Sequence, residues 1–108
     1  MKRITPDCSF YFTPYKIDVN RTTALVLLLA ECARLGVEIK EVGMLQNGYV
    51  VTFKGHENAD AVLHDNSYMN GVNEWETMGF PWDHDDVSTH DAKTLARLIY
   101  RLNHKLAL

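Results

Sequence analysis

The sequence predicts an α+β fold in which helices cover one face of an antiparallel sheet. Two helical patterns, at 20–36 and 88–108, enclose several shorter segments with the composition of strands. Between those segments an Asn47-Gly48 pair gives a strong hairpin signal, because both residues tolerate a positive φ. A chain of 108 residues can bury one core, so we expect a single domain over 1–108.

Four strands are predicted. The first is the aromatic-rich stretch FYFTPYKID at 10–18, and the hairpin supplies the next two at 37–45 and 49–54, with a bulge at Gly43. A fourth is predicted at 72–80. In the strand after Asn47-Gly48, alternate residues share one face. These are Tyr49, Val51 and Phe53.

The first predicted helix spans 20–36, with Asn20 as its cap and Gly36 as its stop. Apolar residues occupy more than half of its circumference. They are Leu25, Val26, Leu28, Leu29, Cys32 and Leu35. Such a helix must be covered on two sides. One side would face the sheet, and the other would face the C-terminal helix or, in a homodimer through 22–35, a second copy of the chain.

Two further helices are predicted. HENADAVLHDNSYM, at 56–69, reads as a short helix that places Ala59, Val62 and Leu63 inward. The C-terminal helix would begin at Ser88, in a capping box with Asp91. Its apolar stripe consists of Leu95, Leu98, Ile99, Leu102 and Leu106.

Taken together, the predicted elements follow the order β-α-β-β-α-β-α. The first six resemble the ferredoxin-like arrangement β-α-β-β-α-β, to which a C-terminal amphipathic helix is added. The helices would then pack on one face of the antiparallel sheet.

The chain has the features of a soluble cytoplasmic protein. Two basic residues near its start are followed by no apolar stretch, which argues against a signal peptide. The longest apolar run, Ala24 to Ala30, has seven residues, whereas a membrane span needs about 20. Cys8 and Cys32 form a poor disulfide framework, so we expect a reducing compartment.

Charge is unevenly distributed along the chain. The net charge is −3, yet no Lys or Arg occurs between Lys54 and Lys93. That interval contains nine acidic residues: Glu57, Asp60, Asp65, Glu74, Glu76, Asp83, Asp85, Asp86 and Asp91. Such a run is typical of a solvated face, and it also suits the docking of a basic partner.

An aromatic cluster leads directly into the acidic loop GFPWDHDD. Its members are Trp75, Met78, Phe80 and Trp82, and such side chains are favoured at protein interfaces. The sequence thus predicts a non-enzymatic, cofactor-free, regulatory or inhibitory module. It would dock a basic protein, for example a nucleic-acid-handling enzyme, through a surface around residues 74–91. The predicted contacts are Trp75, Trp82, Asp83, Asp85 and Asp86.

Two alternatives remain open. A basic stripe on the C-terminal helix could track the phosphates of a nucleic acid. It consists of Lys93, Arg97, Arg101 and Lys105. A metal-dependent hydrolase would instead use His84, Asp86, His90 and Asp91 as ligands. The two histidines are six residues apart, which departs from the usual helical i, i+4 pairing of metal ligands.

Overall fold

A computed structural model describes residues 18–68, 74–84 and 87–108 of the chain. Its elements are α1 (Val19–Leu35), β1 (Ile39–Leu45), β2 (Gly48–Phe53), β3 (Asp60–Leu63), β4 (Trp75–Met78), β5 (Ser88–His90) and α2 (Ala92–Asn103). The strands form a five-stranded sheet in the order β1-β2-β3-β4-β5. Each strand is antiparallel to the next, and the α+β class is confirmed.

The ferredoxin-like order is not matched. In the described residues α1 precedes every strand, and the strands pair with their neighbours in the chain. The strand predicted at 10–18 falls on residues 1–17, which lie outside the described residues. The helix predicted at 56–69 is wrong, because β3 lies there.

The pattern of burial explains why β3 is a strand. Ala59, Ala61 and Leu63 are buried, while Asp60 and Val62 between them are partly exposed. That two-residue period belongs to a strand, whereas the helical prediction placed Val62 and Leu63 on one side. An apolar segment this short fits both periods, and pairing with β2 and β4 selects the strand.

The predicted hairpin is confirmed, with its turn one residue earlier. Gln46 and Asn47 take φ values of 50° and 59°, as a type I′ turn requires. Gly48 is already the first residue of β2, where an added Cβ would lie 2.0 Å from the carbonyl oxygen of Leu63. Gly43 carries no bulge, since the register shift lies between Ile39 and Glu41.

The helix ends were partly predicted. Gly36 ends α1 in the left-handed conformation, with φ 73°, as predicted. The N-cap of α1 is Asp18, whose carboxylate accepts from the backbone N–H of Asn20 at 2.6 Å. Asp91 caps α2 by accepting from the N–H of Thr94 at 2.8 Å. The predicted capping box is therefore wrong, because Ser88 belongs to β5.

The core lies between the helices and one face of the sheet, here called the inner face. Ala24, Leu28 and Cys32 of α1 and Leu95 and Ile99 of α2 are buried against it. The inner-face residues of the core are Tyr49, Val51, Phe53, Ala61, Leu63 and Trp75. Both helices thus cover one face, and neither of them packs on the opposite, outer face of the described sheet. No helix among the described residues is long and apolar enough to cross a membrane.

Candidate interaction surface

The predicted acidic and aromatic surface is largely folded inward. Trp75 is 0% exposed in the core, so it is not available as a partner contact. Trp82 is half-buried and stacks on Phe80, with ring centroids 4.6 Å apart. Its Nε1 donates to Thr77 Oγ1 at 3.1 Å, which ties the loop after β4 to the inner face.

The carboxylate of Asp83 is the centre of a hydrogen-bond network. It accepts from the hydroxyl of Thr77 at 3.0 Å, from the hydroxyl of Ser88, and from the backbone N–H of Phe80 at 3.3 Å. These bonds close the loop between β4 and β5. Asp83 therefore has a structural role, whereas Asp85 and Asp86 lie outside the described residues.

His90 completes this network without making a nucleophile of Ser88. Its Nε2 lies 2.8 Å from Ser88 Oγ, and the Ser88 proton is directed to Asp83, so His90 donates. An activated serine would instead give its proton to the imidazole. Burial lowers the pKa of His90, against the opposing charges of Asp83, Glu74 and Asp91.

The predicted metal ligands do not come together in the described part of the chain. His84 is exposed, His90 bonds Ser88, and the carboxylate of Asp91 caps α2. Asp86 lies outside the described residues. Across the ranges that are described, no three His, Cys, Asp or Glu side chains are grouped so as to hold a metal ion.

The predicted basic stripe is exposed but short. Lys93, Arg97 and Arg101 are exposed on α2, while Lys105 lies beyond its end. Glu31 of α1 lies near the stripe. Its hydrogen bond with Arg34 is the main reason why the pKa of Glu31 is lowered, and the charges of Lys93 and Arg97 add to that effect. Binding of nucleic acid stays a prediction.

The wide apolar arc of α1 is only partly covered. Val26 and Leu27 are 56% and 51% exposed, although Leu28 beside them is fully buried. These two side chains lie within the helix surface predicted for a homodimer through residues 22–35. Dimerisation through that surface stays a prediction.

The outer face of the sheet holds a site that sequence reasoning missed. A cavity of about 230 Å³, here called the outer-face cavity, opens between β3 and β4. It is lined by Asp60, Val62, His64, Glu76, Met78 and Val87. The acidic interval contained the signal for this site, but the helix predicted at 56–69 did not align Asp60 with Glu76.

Strand register places the two carboxylates of this cavity together. Asp60 pairs with Met78 and Val62 with Glu76, so Asp60 and Glu76 are diagonal neighbours on one face. Such neighbours lie about 7–8 Å apart. Burial raises the pKa of Asp60. The ion pairs formed among the described residues, Arg21–Asp65, Arg34–Glu31 and Lys54–Glu38, involve neither carboxylate.

His64 is a fixed element of the cavity wall. It is 9% exposed, and its Nδ1 accepts from the backbone N–H of Asn66 at 3.1 Å. The ring proton of the neutral imidazole therefore lies on Nε2. That N–H donates to no other described residue, and His64 lines the cavity beside the two carboxylates.

The chain matches no protein-family model, and comparisons with curated proteins and with solved structures find no significant match. The geometry of the chain itself is thus the basis for a functional proposal.

Proposed function

We propose that this chain is a protein-binding module that docks a basic partner on the outer face of its sheet. One observation carries the proposal: Asp60 and Glu76 share a cavity with the apolar side chains of Val62 and Met78. A Lys or Arg side chain has the matching composition, since its methylenes pack on apolar walls while its charge meets carboxylates.

The topology supports this choice of surface. Both helices cover the inner face, and among the described residues neither helix covers the outer face, where a partner can lie flat against the strands. Asp60 and Glu76 place negative charge on that face. Acidic charge of this kind steers a basic partner into contact and makes the association rate sensitive to salt.

The predicted contact residues take different parts in this proposal. Trp82 and Asp83 shape the loop between β4 and β5 through their internal hydrogen bonds. Asp85 and Asp86 directly precede Val87 of the cavity wall in the sequence, and we keep them as further acidic contacts. A regulator or inhibitor of a nucleic-acid-handling enzyme would fit, since such enzymes present basic grooves.

We place this role in the cytoplasm. Cys32 is a free, buried thiol, and burial raises its pKa to about 11. A thiol of that kind is an inert part of the core, which suits a reducing compartment.

The proposal is tested with isosteric neutral variants. Asp60→Asn and Glu76→Gln remove charge from the cavity with little change of shape, and Glu41→Gln removes a charge from the same face outside the cavity. Tagged protein is exposed to cell lysate with and without nuclease treatment, and captured proteins are then purified and their affinities measured. We expect the double variant to lose about tenfold or more in affinity. The reason is that the Lys or Arg side chain of the bound partner would then be buried without a carboxylate to pair with.

The control and the salt response complete the test. Glu41→Gln should keep its affinity within about twofold, and the wild-type affinity should fall as salt is raised. Equal affinity of the double variant and the wild type would refute the proposal. Capture of nucleic acid alone, abolished by substitution of Lys93, Arg97 and Arg101, would favour the basic stripe instead.

A further inference from the structure

We infer that the outer-face cavity is a receptor for an arginine side chain within a polypeptide, in preference to lysine. This inference rests on the proposed function and deepens it by naming the group that the cavity recognises. It depends on three features of the cavity: the spacing of its carboxylates, its size, and the donor on its wall.

The spacing of the carboxylates favours a guanidinium. Asp60 and Glu76 are diagonal neighbours across β3 and β4, and the backbone positions of such neighbours lie about 7–8 Å apart. A guanidinium is planar and has five N–H donors on its edges, so it can lie between two carboxylates and donate to both. An ammonium is a compact point charge and would satisfy one of them at a time.

The size and walls of the cavity suit one side chain. Its volume of about 230 Å³ is below the roughly 300–1,000 Å³ of pockets for drug-sized ligands. Val62, Met78 and Val87 supply apolar contacts along which the methylenes of an arginine can pack. Burial raises the pKa of Asp60, and the positive charge of an entering cation would offset that effect by favouring the ionised carboxylate.

The donor on the wall indicates a peptide rather than a free cation. His64 is nine-tenths buried, its Nδ1 is occupied by the N–H of Asn66, and its Nε2–H has no acceptor among the described residues. A cation offers no acceptor to this group, but a main-chain carbonyl beside an arginine does. We therefore assign the Nε2–H of His64 to a carbonyl oxygen of the partner's backbone.

Four small probes test the inference directly by NMR titration. They are the N-acetyl, N-methylamide derivatives of arginine, lysine and citrulline, together with methylguanidinium. Citrulline has the shape of arginine without its charge. We expect the arginine probe to shift amide signals of residues 60–64 and 76–78, with a Kd of about millimolar order. The lysine probe should bind at least about threefold more weakly, and citrulline should leave the signals unchanged.

Variants assign the contacts. Asp60→Asn and Glu76→Gln should each weaken the arginine probe by fivefold or more, and Glu41→Gln should leave it unchanged. His64→Asn keeps an acceptor for the N–H of Asn66 but removes the Nε2 donor. It should weaken the blocked arginine twofold or more and leave methylguanidinium, which has no carbonyl, unaffected.

Several results would overturn the inference. Equal shifts with citrulline, lysine binding as tight as arginine, or no shift with any probe at 50 mM would each do so. The proposed function has a separate readout, the affinity of the captured protein for Asp60→Asn/Glu76→Gln. If the double variant loses affinity for the captured protein but the cavity does not prefer the arginine probe, the proposed docking surface is supported and the arginine receptor is excluded.

Discussion

At the scale of single residues, the acidic side chains of this chain have different roles, which depend on their surroundings. Asp83 accepts three hydrogen bonds inside a loop, and Asp91 caps a helix. Asp60 and Glu76 instead share a cavity without an ion pair among the described residues. The sequence indicated an acidic interval, but a count of charges cannot separate structural carboxylates from those that face a partner.

The Asp83 network gives a prediction at this scale. Asp83→Asn replaces one acceptor oxygen with an NH₂ group that faces donors, so at least one hydrogen bond of the network is lost. We expect the free energy of unfolding to fall by about 1–3 kcal/mol, measured by urea denaturation. His84→Gln, at the exposed neighbouring position, should change it by less than about 0.5 kcal/mol. Equal stability of Asp83→Asn and the wild type would contradict the structural role of this carboxylate.

At the scale of elements, the sequence predicted features that rest on long segments or strong turn signals, and it did not predict the short strands. The hairpin, the end of α1 at Gly36 and the buried positions Leu95 and Ile99 of α2 rest on long patterns or strong turn chemistry. By contrast β3 has four residues and β5 has three, too few for a period to be read. Their strand conformation depends on pairing with neighbours, so no local pattern indicated it.

The two glycines of the hairpin give a matched prediction at this scale. An added Cβ at Gly48 would lie 2.0 Å from the carbonyl oxygen of Leu63 and 2.6 Å from the Cα of His64, whereas Gly43 has nothing within 4 Å. Gly48→Ala must therefore separate β2 from β3, and we expect it to cost about 1–3 kcal/mol or more. Gly43→Ala should stay within about 0.5 kcal/mol of the wild type.

Thermal and urea unfolding of the two glycine variants check this contrast. The amide signals of β2 and β3 should shift widely in Gly48→Ala and only near the substitution in Gly43→Ala. Similar stability losses in both variants would show that the close approach of β2 and β3 is not the reason why position 48 requires glycine.

At the scale of the whole molecule, topology determines which surface is available. The five strands pair in chain order, and both helices pack on the inner face. In the described part of the chain, the outer face, with Asp60 and Glu76 on it, is therefore covered by neither helix. The sequence indicated helices on one face, but the helix predicted at 56–69 removed β3 from the sheet. The cavity between β3 and β4 could not then be predicted.

A hydrogen-bonded clamp formed by Arg21, Asn47 and Asp65 joins α1 to the sheet, and it gives the prediction at this scale. Arg21 is 8% exposed, and its Nη1 donates to the carbonyl of Asn47 at 2.7 Å and to Asp65 Oδ1 at 2.8 Å. Asn47 Nδ2 donates to Asp65 Oδ2 at 2.9 Å. The start of the helix, the hairpin turn and the residues after β3 are thus held by one carboxylate.

The pH dependence of stability tests this clamp. Hydrogen bonds from Asn47 and Arg21 hold the pKa of Asp65 below its ordinary value of 3.8. The folded state therefore binds this proton less readily than the unfolded chain, so the clamp's stabilisation is fully present above pH 3.8 and is lost as the pH falls through the lower folded pKa. Asp65→Asn should be less stable than the wild type at pH 7, and the gap should narrow below pH 3.8. Urea denaturation from pH 7 to pH 2 measures the gap, with Glu41→Gln as the control, and a gap that stays constant over that range would exclude this carboxylate as the charged centre of the clamp.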